Sequence, residues 1–156
     1  MIMPGNLALS QEKFEEDLDK QTICLAKNIY YEARNQPVAA MVAVSQVVLN
    51  RVKDPRYPDT ICGVIYQGKY WKKHIVRNKC QFSWFCDGKS DNPKNKEWWD
   101  ASKHVAKYVI NPDKPIFDLT GGAQYYHYSK MKKFPKWVHI KRKTVQIGDH
   151  IFYAWK

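Results

Sequence analysis

The chain is 156 residues long, with 26 Lys and Arg against 15 Asp and Glu, four Cys, six Trp and ten Tyr, and 44% of its residues are hydrophobic. That length suits one domain able to bury roughly 70% of the surface of its unfolded chain, and the apolar and aromatic content excludes intrinsic disorder. No apolar run approaches the ~20 residues that cross a bilayer, and Met1 to Asp19 shows neither a basic leader nor an apolar export core, so a soluble protein without a signal peptide is expected.

The net charge of +11 is uneven, with −3 on residues 1–20 and +14 on the remainder. Such a field draws anionic polymers, and nucleic acid, acidic membrane and wall polymer all qualify. No repeat or linker divides the chain, so one domain over 1–156 is expected. Its parts are a polar helical segment within 1–20 and a core over 21–156.

Residues 9–18 read as a short polar helix. Residues 21–34 read as a second, because at about 100° per residue Ile23, Leu25, Ala26, Ile29, Tyr30 and Ala33 share roughly half a circle, with Glu32 at its edge. Pro37 suits the first position of a helix through Val52 that is apolar nearly all round and belongs in the middle of the core. Thr60 can cap one or two turns through Tyr66, although Gly63 weakens them. Residues 67–92 look irregular. Asn92 and Pro93 signal a helix to about Ile110 with Trp98, Ala101, Val105, Tyr108 and Val109 inward. Gln124–Tyr128 and Thr144–Tyr153, the latter broken at Gly148, read as strands. Helices first and strands later predict an α+β domain.

Glu32 stands apart chemically: it is the only Glu between residues 17 and 96, and it sits beside Tyr30 and Tyr31 on an amphipathic helix. A carboxyl held against apolar groups is kept neutral, which makes it a general acid near neutral pH; an ion pair with Arg34, Arg51 or a Lys would have the opposite effect. Cys24, Cys62, Cys80 and Cys86 match no zinc spacing, so neither metal nor cofactor is expected. An oxidising compartment would allow Cys80–Cys86 together with Cys24–Cys62, but four cysteines have three pairings, and free buried thiols are the simpler expectation for a cytosolic protein. Two stretches, Lys69–Lys79 with Tyr70 and Trp71, and Lys130–Lys143 with Phe134 and Trp137, have the mixture of cations and rings that binds single-stranded nucleic acid. A solvated face that steers the protein to anionic polymer explains the same residues.

Six ordered blocks carry a resemblance to a known family. They begin with Ala26-Lys27-Asn28-Ile29-Tyr30-Tyr31-Glu32-Ala33-Arg34, then Val42-Ala43-Val44 with Val47 to Val52, and Tyr57-Pro58-Asp59-Thr60 with Val64 to Gln67. Gln81-Phe82-Ser83-Trp84, Gly122 to His127 and Ile147 to Tyr153 complete the set. The chain resembles the SleB/CwlJ-type cell wall hydrolases, peptidoglycan-cleaving domains of spore-cortex lytic enzymes and phage lysins.

The resemblance implies a lysozyme-like α+β fold, cleavage of the β-1,4 bond between N-acetylmuramic acid and N-acetylglucosamine, and Glu32 as the catalytic acid. It also implies a glycan groove with Gln81, Ser83, Trp84, Tyr126 and His127 as candidate substrate contacts, His127 having in addition a plain structural reading; the hydroxyl of Tyr31 or Tyr126 is a further candidate, to steady developing positive charge or orient the N-acetyl group. The chain departs from the family pattern at Asn35-Gln36, where Gly-Glu is common, and at Tyr125, where His is common. Asp54, Asp59, Asp87, Asp118 and Asp149 are the candidates for a second carboxylate, and each also reads as a turn, cap or surface residue. Lytic transglycosylation needs only one carboxyl, so it is the favoured outcome over hydrolysis. A monomeric phage lysin, made in the host cytoplasm and acting on the wall after release, is the expected setting.

Overall fold

The structure, a computed structural model, describes residues 4–156. The first three residues of the expected 1–20 segment lie outside the described residues. Helix α1 runs unbroken over Pro4–Ala33, where two helices were expected. Asp19, Lys20 and Gln21 contain no breaker, so the polar segment and the amphipathic one fuse. Leu9 and Phe14 on the first half are exposed, and so is Ile23, whereas Leu25, Ala26, Ile29, Tyr30 and Ala33 enter the core. Asn35, in the left-handed region at φ 66°, ends the helix.

Helix α2 (Val38–Val52) is the centre of the domain. Pro37 precedes it at the N-cap, one position earlier than expected, and Val38 remains exposed. Every residue from Ala40 to Val48 is buried. The two polar ones are satisfied. Ser45 Oγ donates to the Met41 carbonyl at 2.9 Å, while the Gln46 amide donates to the Phe117 carbonyl at 2.8 Å and accepts from Leu119 N–H at 2.9 Å. Helix α3 (Ile61–Ile65) is capped by Thr60, whose hydroxyl accepts from Gly63 N–H at 3.0 Å. Gly63 is tolerated within this turn because the space is taken: a Cβ there would lie 2.7 Å from Thr60 Oγ1 and 2.9 Å from Pro58 Cβ.

The segment expected to be irregular contains an antiparallel hairpin, β1 (Gly68–Trp71) and β2 (His74–Cys80), followed by a 3₁₀ turn over Ser83–Cys86. Both strands are largely solvated, so they lack the apolar alternation that reveals a half-buried strand. Their turn is Lys72-Lys73, with Lys72 at φ 54°, and not the Asn-Gly that usually marks a two-residue hairpin. Holding a lysine in that region costs roughly 1 kcal/mol.

Helix α4 (Lys96–Ile110) begins later than Asn92-Pro93 because Asn95 supplies the cap, its side chain accepting from Trp98 N–H at 3.0 Å. Ser102, Val105, Ala106 and Val109 form its buried face, and Tyr108, expected inward, is exposed. The second sheet has the order β3-β5-β4, built from β3 (Tyr125–Tyr128), β4 (Arg142–Ile147) and β5 (His150–Ala154), all antiparallel. Central strand β5 is buried throughout. Gly148 turns β4 into β5 at φ 57°, and a Cβ there would crowd Gln36 Oε1 at 2.7 Å and Pro37 Cδ at 3.2 Å, so both backbone conformation and space favour glycine.

All four cysteines are paired, Cys24 with Cys62 at a Cα separation of 5.4 Å and Cys80 with Cys86 at 6.1 Å. This is the pairing that an oxidising compartment was expected to allow, and not the free thiols expected of a cytosolic protein. The first bridge ties α1 to α3; the second closes the loop that carries Gln81 to Phe85. The α+β expectation holds, with helices preceding the three-stranded sheet.

Candidate active site

One cavity of about 550 Å³ opens where the C-terminal ends of α1 and α2 meet the three-stranded sheet. Helix α1 delivers Glu32 to it, α2 delivers Arg51, the segment after β2 delivers Gln81, and the first residue of the 3₁₀ turn delivers Ser83. Strand β3 adds Tyr126 and His127, and β5 adds His150. The loop after β3 completes the wall with Met131, Pro135 and Trp137.

Glu32 is held by the backbone around it. His150 Nε2 lies 3.1 Å from the Glu32 carbonyl, one of the last carbonyls of α1 and so without a helical partner; the tautomer protonated at Nε2 donates to it. One turn earlier, Asn28 is fixed by Trp84, whose Nε1–H donates to Asn28 Oδ1 at 2.9 Å. The Glu32 side chain itself is partly exposed to the cavity, while desolvation raises its carboxyl pKa from 4.5 to about 7. The Tyr126 hydroxyl and the Arg51 guanidinium pull in the opposite direction and offset only part of that rise. Tyr126 exerts this effect without completing a hydrogen bond of normal geometry.

Arg51 does not grip Glu32. Among the described residues neither takes part in an ion pair. The buried guanidinium donates from Nε to the Gln124 carbonyl at 2.8 Å and lies 5.3 to 5.5 Å from the ring centres of Tyr57, Phe82 and Tyr125. Its Nη1 is sealed from solvent without a partner. Glu32 therefore faces a cation that favours its carboxylate form but is not close enough to remove its proton affinity.

Among the described residues, Glu32 is the only carboxylate lining the cavity. The five aspartates considered as partners are placed elsewhere. Asp54 pairs with Arg56 and accepts from Gln124 Nε2 at 2.9 Å; Asp118 accepts from the backbone N–H groups of Thr120 and Gly122. Asp149 is held by Gln36 and Lys130, Asp87 accepts from Lys89 N–H, and Asp59 is exposed near α3. No three His, Cys, Asp or Glu side chains gather as metal ligands among the described residues.

The structure brings Gln81, Ser83, Tyr126 and His127 together with Glu32. His127 has both nitrogens engaged, Nδ1 with the Tyr128 carbonyl and Nε2 with the Tyr153 hydroxyl, each at 3.0 Å, which fits a structural side chain better than a proton shuttle. Tyr31 and Trp84 lie outside the cavity. Trp84 is buried and stacked on Tyr31 at 4.9 Å, and Tyr31 donates its hydroxyl to the Ser90 carbonyl, so both brace α1 from behind. Phe82 and Trp84 are buried and Gln81 and Ser83 exposed, as an extended segment would place them, although the segment turns into a 3₁₀ helix at Ser83. From the sequence Arg51 reads only as a candidate ion-pair partner of Glu32, Trp137 only as a ring in a basic stretch and His150 only as part of the last matched block; none is expected there as a wall of the site. The legible signal for Arg51 was a lone guanidinium in an otherwise apolar helix.

Comparison with known proteins identifies relatives of the domain as a whole. A family model described as Cell Wall Hydrolase matches residues 35–153, beginning three residues after Glu32. The spore cortex-lytic enzyme of Bacillus cereus is 30% identical over 128 residues, 82% of this chain and 42% of the relative. That of Bacillus subtilis is also 30% identical over 128 residues, covering 35% of its length, so the chain spans less than half of these relatives. Among solved structures, the catalytic domain of the germination-specific lytic transglycosylase SleB from Bacillus anthracis superposes with a TM-score of 0.64 at 28% identity, covering 86% of this chain and 93% of that one. The catalytic domain of Bacillus cereus SleB gives 0.58 at 28% identity, covering 86% and 91%. With the matched model spanning most of the sequence and the α+β architecture shared with those catalytic domains, the chain belongs to the cell wall hydrolase family.

Proposed function

We propose that this domain cleaves peptidoglycan glycan strands at the bond between N-acetylmuramic acid and N-acetylglucosamine, by lytic transglycosylation with Glu32 as the sole acid and base. The observation that carries this reading is a single carboxyl, pKa about 7, in a cavity lined by no second carboxylate among the described residues. A retaining hydrolase needs a nucleophilic carboxylate ~5 to 5.5 Å from the acid, and an inverting one needs a base ~6.5 to 9.5 Å away. Transglycosylation needs neither. Neutral Glu32 gives its proton to the departing glycosidic oxygen as the bond to C1 of the muramic acid breaks. The 6-hydroxyl of the same sugar then bonds to C1 and returns its proton to Glu32, leaving a 1,6-anhydro end without consuming water. Arg51 stabilises the carboxylate that exists between the two transfers.

Mass spectrometry of digested sacculi tests the outcome. Anhydro-muropeptides, absent with Glu32→Gln, are expected; reducing ends carrying oxygen-18 from labelled water would overturn the transglycosylase route. The setting we propose is a phage lysin acting as a monomer, made in the host cytoplasm and working on the wall after release. The two disulfides suit an oxidising destination.

A further inference from the structure

The β1–β2 hairpin is not used by the chemistry above, yet it concentrates charge. Lys69, Lys72, Lys73, Arg77 and Lys79 lie within it, and no Asp or Glu occurs from Thr60 to Cys86. None of the five makes an ion pair among the described residues. At the tip Trp71 is 67% exposed and Tyr70 47%, with the Lys72 ammonium 4.6 Å from the centre of the Trp71 ring. Lys72 occupies a left-handed turn position better suited to Gly or Asn, so the turn keeps a cation at the expense of backbone comfort. The hairpin is also continuous with the cavity. Strand β2 leads directly into Gln81 and Ser83 of the cavity wall, and Gln81 N–H bonds to the Gln67 carbonyl at 2.9 Å at the hairpin's base.

We propose that this hairpin is a binding finger for a phosphodiester-linked wall polymer of the teichoic acid type, its ammonium and guanidinium groups meeting the phosphates while Trp71 and Tyr70 pack on the intervening polyol or sugar. The choice of occupant rests on the peptidoglycan reading above, because a polymer borne on the glycan strand is presented beside the cavity where that strand is cut. Unpaired cations match a repeating phosphate in sign, and rings match the carbon face between phosphates. A lipid surface would call for a broader apolar edge than two rings.

The test uses Glu32→Gln protein, which binds without cutting, on sacculi with their phosphodiester polymers retained or stripped. Binding about tenfold or more tighter to the polymer-bearing sacculi is expected, weakening as salt rises and lost in Lys72→Glu/Lys73→Glu, with Trp71→Ala intermediate. Equal binding to both sacculi, or a preference that survives in the charge-reversed hairpin, overturns the proposal. So does binding of duplex DNA or of phosphatidylglycerol vesicles as tight as that of free poly(glycerol phosphate). Cleavage of stripped sacculi by the hairpin variant carrying native Glu32 should match that of the unmutated chain; a loss there would place the hairpin in catalysis and overturn the docking role. Should native Glu32 cut neither substrate, the catalytic reading falls while the binding comparison still decides the finger.

Discussion

Burying Glu32 has a thermodynamic signature that can be measured apart from catalysis. Its carboxyl rises from 4.5 to about 7 on folding, so the folded state binds this proton more tightly than the unfolded one, and stability must fall as pH rises between those values. Below 4.5 the carboxyl is neutral in both states and costs nothing. Above about 7 it is ionised in both, and the full penalty applies, about 3 kcal/mol at 1.36 kcal/mol per pH unit. Glu32→Gln keeps the shape and removes the ionisation. The substituted protein should therefore gain on the native one as pH rises, by about 1 kcal/mol at pH 5 and about 3 kcal/mol at pH 8.

Any fixed difference in packing or hydrogen bonding of the amide cancels when the two pH values are compared. Since about 1 kcal/mol moves the melting temperature of a protein this size by ~2 to 4 °C, the extra gain is about 4 to 8 °C. Thermal melts of both proteins at pH 5 and pH 8, with disulfides intact, check it. A stability difference that does not change with pH would show that Glu32 is not desolvated in the folded state, and the argument for a neutral acid would fail with it.

The same site predicts the behaviour of its neighbours. Cleavage requires neutral Glu32, so the rate should fall above about pH 7; Arg51→Met removes a charge that favours the carboxylate and should move that alkaline limb upward, whereas an unmoved limb would deny Arg51 its electrostatic role. The disulfides should differ in weight. On chain-entropy grounds Cys24–Cys62, separated by 38 residues, is worth about 4 kcal/mol and Cys80–Cys86, separated by 6, about 2 kcal/mol. Denaturant unfolding of the two paired Cys→Ser variants checks that order. The Cys80→Ser/Cys86→Ser pair should also raise KM, because that bridge closes the loop holding Gln81 and Ser83, while the Cys24→Ser/Cys62→Ser pair should leave KM unchanged.

Much of the architecture was legible because its signals are local. The apolar run of α2, the Thr60 cap and the Gly148 break each express themselves within a few residues, and each appears in the structure. Failures followed from the same physics. The hairpin is solvated on both faces, so its strands carry no alternation to detect, and the one-helix form of α1 could not be told from two helices when polarity changes but no breaker intervenes. Glu32 stood out by isolation among apolar neighbours. Arg51 and His150 did not, because their positions depend on α2 and β5 converging on the end of α1, a long-range fact that spacing cannot express. Tyr31 and Trp84 show the converse: they are close to Glu32 in sequence or motif yet support its helix from the side away from the cavity.

The distribution of unsatisfied groups sharpens the functional argument. Eight buried side-chain polar atoms lack a hydrogen-bond partner among the described residues, and four of them, Asn28 Nδ2, Arg51 Nη1, Tyr126 Oη and His150 Nδ1, belong to residues arranged about Glu32. Each such atom costs on the order of 1 to 3 kcal/mol in a packed interior, so a fold selected for stability alone would not gather them around a desolvated carboxyl. Two of the four act on that carboxyl, the Arg51 guanidinium and the Tyr126 hydroxyl, and both favour its charged form. When Glu32 gives up its proton, the Arg51 charge and the Tyr126 dipole already point the right way, and little has to move to stabilise the anion. The stability forgone around this one carboxyl and the readiness of the site to pass a proton out and back are thus the same arrangement seen in two states of charge.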